Sequence, residues 1–183
     1  MNLPASLAGR ERVRLFCALR LPEPALAALS AWQEEHLRVE RPVPREHLHI
    51  TLAFLGHRPA TELPAIAEAL HGAAADTAAI RFVPERYRET RSVGMLVLKD
   101  LTGAAAELAD DLFGRLERAG VYEREARRWL PHVTVLRFRR PPRLKPPLPE
   151  LGEFAPSDAA AYVSQLGPKG ARYFVVESVV LGG

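Results

Sequence analysis

Two short elements, His49-Ile50-Thr51-Leu52 and His132-Val133-Thr134-Val135, restrict this chain more than any other feature. Each sets a threonine two residues after a histidine and fills the intervening positions with Ile, Leu or Val. Successive side chains of a strand point to opposite faces, so His and Thr share one face about 6–7 Å apart while their apolar neighbours face a core. Both elements close the same layout. In the first half, the β-rich run Val13–Arg20 precedes a helix opened by Pro22 and Pro24, with Leu26, Leu29, Trp32 and Leu37 at helical spacing. The strand pattern His47–Leu55 follows, ended by Gly56. In the second half, Val93–Lys99 precedes a helix over 102–119, with Leu108, Leu112 and Leu116 on one face and Gly120 as its stop. The strand pattern Trp129–Phe138 follows. Val13 to His49 and Val93 to His132 are spans of nearly equal length, the mark of an internal repeat. The spacing predicts an α+β fold of duplicated β-α-β units with pseudo-twofold symmetry, its two histidine strands face to face across a cleft.

The rest of the chain fits that frame. A second helix is predicted over 61–75, with Leu63, Ile66, Ala67 and Leu70 inward, and further strands at Ile80–Val83, Ala160–Leu166 and Tyr173–Leu181. Residues 139–149 read as a basic, proline-rich loop. Residues 1–10 read as a flexible tail and 11–183 as a single two-lobed domain. Hydrophobic content of 48% and charged content of 26% are those of a soluble globular protein. No apolar run approaches the ~20 residues of a membrane helix, and Met1–Glu11 carries no secretory pattern. The lone cysteine, Cys17, excludes an internal disulfide and suits a reducing cytosol. Its alternating apolar neighbours make it a buried strand thiol. A net charge of +3 admits an anionic partner without naming it. The expectation is a cytoplasmic monomer.

Two imidazoles and two hydroxyls on one cleft are a sufficient kit for cleaving a phosphodiester. A neutral imidazole takes a proton from water, and an imidazolium gives one to the leaving oxygen. Threonine hydroxyls donate to the phosphate oxygens as charge builds there. This scheme needs no metal or cofactor. Two alternatives stay open. His47 shares a strand face with His49, and a His-x-His pair can chelate a metal for a metal-dependent hydrolase. No third ligand is evident, since His36, His57 and His71 fall on helices or loops. The chain can also be a non-catalytic RNA- or nucleotide-binding module on the same fold. Arg139, Arg140, Arg143 and Lys145 suit either an RNA backbone or a solvated connection. Trp32 and Trp129 read as core residues.

The segments EHLHITLAFLG (Glu46–Gly56) and WLPHVTVLRF (Trp129–Phe138) resemble the paired motifs of the two-histidine (2H) phosphoesterase superfamily. Within it, the chain is most similar to the RNA 2′,3′-cyclic phosphodiesterases, also called 2′-5′ RNA ligases of the LigT/ThpR type. The early RLFCAL run, Arg118-Ala119-Gly120 at a helix end and SQLGPKGARY (Ser164–Tyr173) agree with that likeness. The resemblance implies two lobes of antiparallel sheet with outer helices and a central cleft. It implies hydrolysis of RNA 2′,3′-cyclic phosphate termini to 2′-phosphomonoesters, without a cofactor. It further implies His49 as proton donor, His132 as proton acceptor, and Thr51, Thr134 and Arg137 as phosphate-binding residues. Strand parity alone places Arg137 on the face opposite His132, so its arrival in the cleft requires a twist or bulge. Position 47 is more often Asn in this branch than the His found here.

Overall fold

The computed structural model describes residues 11–38, 41–167 and 170–182. The tail expected over 1–10 lies outside them. The elements are β1 (Arg12–Arg20), α1 (Glu23–His36), β2 (Arg41–Pro42), β3 (His49–Pro59), α2 (Leu63–Ala75), β4 (Phe82–Glu89), β5 (Val93–Asp100), α3 (Ala104–Arg118), β6 (His132–Arg137), β7 (Asp158–Gly167) and β8 (Gly170–Val179). All strand pairings are antiparallel, in the order β4-β5-β6-β3-β1-β7-β8, with β2 also on β6. The repeat is explicit here, because β1-α1-β3 and β5-α3-β6 are equivalent units. The two histidine strands lie side by side. They join the halves' sheets through a single residue pair, Ile50 with Val133.

The helices pack on one face of the sheet. Val13, Leu15, Cys17 and Leu19 of β1 point into this layer with Leu29 of α1, Leu70 of α2 and Leu112 of α3, and one core runs through both halves. Burial pushes the Cys17 thiol up to about 12, so it stays protonated and inert. The alternate residues Phe16 and Ala18 face the other, helix-free side with Ala160 and Tyr162. Gly120 ends α3 with φ +69, its amide on the Glu117 carbonyl and that of Val121 on Leu116, a Schellman closure that needs the left-handed residue. Among the described residues no helix is long and apolar enough to cross a membrane.

Several boundaries differ from the sequence pattern. The strand expected at Ile80–Val83 runs over Phe82–Glu89, because a hairpin partner in β5 carries it through Pro84 and four charged residues. As the edge strand it tolerates that proline. The strand expected to open at His47 starts at His49, since Arg45–His47 form a 3₁₀ turn. Gly56 does not end it: at φ +70 it turns a bulge, and His57, assigned to a loop, continues the strand. β6 is shorter than the run Trp129–Phe138. The two-residue β2 has no sequence signature.

β2 is held by a buried side chain that polarity alone would place at the surface. Gln33 of α1 donates from Nε2 to the carbonyls of Val43, at 3.1 Å, and Val135, at 2.6 Å. It thereby ties α1 and the β2 segment to β6. A Gln33→Met variant keeps the length but leaves the Val43 carbonyl without its buried donor. It should lose about 1–3 kcal/mol of stability in urea unfolding. An unchanged midpoint would show that the clamp contributes nothing.

Candidate active site

The pairing of Ile50 with Val133 arranges the site. Both side chains are fully buried on the helix side. One step further along the antiparallel register in each direction, His49 lies across from Thr134 and Thr51 across from His132. Cross-strand neighbours sit about 4.5–5.5 Å apart at Cβ. The four polar side chains therefore form a compact square on the open face, with the two histidines at opposite corners. All four are half-buried.

Each imidazole is oriented in the same way. His49 Nδ1 lies 2.7 Å from the His47 carbonyl, and His132 Nδ1 lies 2.8 Å from the Leu130 carbonyl. A carbonyl only accepts, so Nδ1 carries the proton in both rings and Nε2 is left for chemistry. His49 Nε2 is 3.1 Å from Thr51 Oγ1. The indole of Trp129 donates to the Thr51 carbonyl at 3.0 Å, fastening β3 to the segment that leads into β6. Trp32 is buried, as expected, and donates to Pro147.

Bulges decide what else reaches the open face. Met95 pairs with Thr134 and Gly94 with Leu136, so Val135 is an extra residue. Val135 and Leu136 are both buried in succession, and Arg137 returns to the face of His132 and Thr134. This is the bulge that Arg137 required. Its twin lies in β3, where Ala18 pairs with Thr51 and Cys17 with Ala53, leaving Leu52 extra. The residue turned outward there is Phe54, and the Arg14 guanidinium sits 4.7 Å above its ring. The two halves thus present an arginine and an arginine-capped aromatic at equivalent positions.

The His49 ring leans on an aromatic wall invisible to motif reading. Phe16 stacks on it at 5.0 Å, with Tyr162 stacked behind Phe16 at 4.8 Å, and Tyr173 meets His49 edge-on at 5.7 Å. The signal in sequence is only that Phe16 is an even-numbered residue of β1. His47 belongs to the turn and packs against Tyr173 at 4.3 Å, so the strand-borne His47-x-His49 pair does not form. Among the described residues no three His, Cys, Asp or Glu side chains gather as a metal site. Arg20, paired across from His49 on β1, is bound by Asp158. Burial pushes the His49 imidazolium down to about 4; its bond to the His47 carbonyl opposes this, while His132, His47 and Arg137 add repulsion.

Residues 21–167 match the model of the 2′-5′ RNA ligase superfamily. The chain is 34% identical to an RNA 2′,3′-cyclic phosphodiesterase of Thermus thermophilus over 188 residues, covering 93% of this chain and 91% of that protein. It is 28% identical to an RNA 2′,3′-cyclic phosphodiesterase of Escherichia coli, covering 89% and 93%. Among solved structures, TT0787 of Thermus thermophilus superposes with a TM-score of 0.78 at 32% identity, over 93% of this chain and 98% of that one. Apo LigT of Escherichia coli has the same fold, with a TM-score of 0.82 at 24% identity over 95% and 100%. The chain belongs to the 2′-5′ RNA ligase superfamily.

The lowered pKa makes a prediction. By histidine NMR, His49 should titrate near 4 in the free protein, and adding inorganic phosphate should raise that value, since an anion favours the imidazolium. A value near the ordinary ~6.5 would show that burial does not control the ring. Between about 6.5 and 4 the unfolded chain holds a proton that folded His49 refuses. Stability should therefore fall as pH drops through that window, and less so in His49→Gln.

Proposed function

We propose that the protein is a hydrolase that opens 2′,3′-cyclic phosphate ends of RNA to 2′-phosphomonoesters, with His49 and His132 as its acid–base pair. The observation that carries this reading is the Ile50–Val133 register, which sets two imidazoles diagonally across one open face. A phosphorus at the centre of the square has an imidazole on either side, as in-line displacement demands. Neutral His132 takes a proton from water through Nε2 as the water oxygen bonds to phosphorus. The bond from phosphorus to the 3′ oxygen breaks, and protonated His49 gives its Nε2 proton to that oxygen. Thr51, Thr134 and Arg137 hold the non-bridging oxygens as charge accumulates on them. The product carries a 2′-phosphate and a free 3′-hydroxyl, and the two histidines exchange protonation states through solvent.

A low His49 pKa suits an acid that must form only with substrate. The phosphate anion between the rings draws the proton onto His49, whereas the empty site stays uncharged there. The likeness to the Thermus and Escherichia phosphodiesterases supports the substrate class. The square lies within one chain, which supports a monomer. The buried free thiol of Cys17 supports a cytoplasmic location.

Hydrolysis of adenosine 2′,3′-cyclic phosphate, followed by phosphorus NMR, tests the reading. A 2′-monophosphate is expected, formed also in excess chelator. A dominant 3′-phosphate would overturn the regiochemistry, and no turnover would favour a binding module. Chelator-sensitive activity restored by zinc or manganese would favour a metal enzyme. Thr51→Val and Thr134→Val should each lower kcat about 10- to 1000-fold while leaving the fold intact. With a 3′-thio leaving group, which needs little protonation, His49→Ala should recover much of its activity and His132→Ala should not. The reverse pattern would exchange the two roles.

A further inference from the structure

Beside the square lies a cavity of about 700 Å³ lined by Arg41, Arg137, Phe138, Arg139 and Arg140. Its four guanidiniums have no place in opening the ring, apart from Arg137. Arg41 pairs directly across the ladder from Arg137, and like charges so placed oppose pairing. Eight other arginines hold carboxylates: Arg20, Arg45, Arg58, Arg81, Arg86, Arg115, Arg124 and Arg127. None of the four in the cavity has an acidic partner among the described residues. Four guanidiniums around one hollow, with no carboxylate on them among the described residues, repel each other until an anion enters. Guanidinium favours phosphate, which it grips with two parallel hydrogen bonds.

Position identifies which phosphate. Arg137 faces the same side as Thr134 and stands three residues along β6, about 10 Å away. It lines the cavity and is near enough to His49 to repel its imidazolium. Phe138 is buried and forms an apolar floor, so the cavity's polarity comes from the arginines of its rim.

We propose that this cavity binds the phosphate on the 5′ oxygen of the nucleotide whose cyclic phosphate is opened, and so favours RNA ends over free cyclic nucleosides. This rests on the hydrolase reading above. Arg41, Arg139 and Arg140 are then specificity residues for the polymer, reading charge and leaving the base unread.

Three substrates test it: adenosine 2′,3′-cyclic phosphate, its 5′-phosphorylated form, and the dinucleotide ApA ending in the cyclic phosphate. The parent chain should prefer the latter two. Arg41→Gln, Arg139→Gln and Arg140→Gln should each raise KM for those two about 10-fold or more, with the first substrate unchanged and kcat preserved. Equal losses on all three substrates, or none on any, would overturn the proposal. A loss confined to the dinucleotide would also overturn it, because the upstream nucleoside and not the phosphate would be read. Calorimetric binding of adenosine 2′-phosphate and of its 5′-phosphorylated form separates the two readings if no turnover is seen. A gain from the 5′-phosphate that vanishes in the three variants supports the cavity even then. No gain in the parent chain refutes it.

Discussion

The sheets of the chain's two halves join through one β-ladder step, Ile50 against Val133, and the site is a consequence of that step. Because both side chains are locked in the core, the residues flanking them have no choice of face. A one-residue slip of β6 would bury His132 and Thr134 and expose Val133, which the hydrophobic effect forbids. Catalytic geometry is thus set by the same apolar burial that stabilises the fold. Past that step β6 turns its edge to Val43 and β2, so the histidine strands part.

The paired bulges are the second structural device. Each inserts one apolar residue, Leu52 or Val135, just after a threonine. The insertion lets two consecutive side chains enter the core, and the next one turns to the open face. Gln33 satisfies the Val135 carbonyl at the bulge from a buried helix position, alongside the Val43 amide. Symmetry of backbone is kept while chemistry diverges: one half receives a cation in Arg137, with no acidic partner among the described residues, the other an aromatic in Phe54 beneath Arg14.

Burial and electrostatics then act on the His49 imidazole. His49 is pressed against Phe16 and Tyr173 and surrounded by positive groups, so the free site resists its protonation. An anion bound between the rings would lift that resistance, because a nearby negative charge favours the imidazolium.

Much of this was legible in the residues themselves. The alternation around His49 and His132 identified which side chains share a face, because strand periodicity is a local property of the backbone. Helix limits at Pro24 and Gly120 followed from proline's fixed φ and glycine's access to positive φ. Strand ends were less legible: His47 looked like part of β3, and β4 hid behind charged residues, because pairing partners and not local composition decide where a ladder stops. The bulge at Val135 reversed the parity of Arg137, which no local pattern records. The aromatic wall, the Gln33 clamp and the meeting of Arg41 with Arg137 join residues far apart in sequence. The sequence by itself determined the repeat, the chemical kit and the face on which each His-x-Thr pair lies, all short-range consequences of residue type. Only the tertiary structure decided that the histidines sit diagonally, that Arg137 joins them and that four arginines converge beside them. Those facts depend on register between distant strands, which packing selects across the whole core.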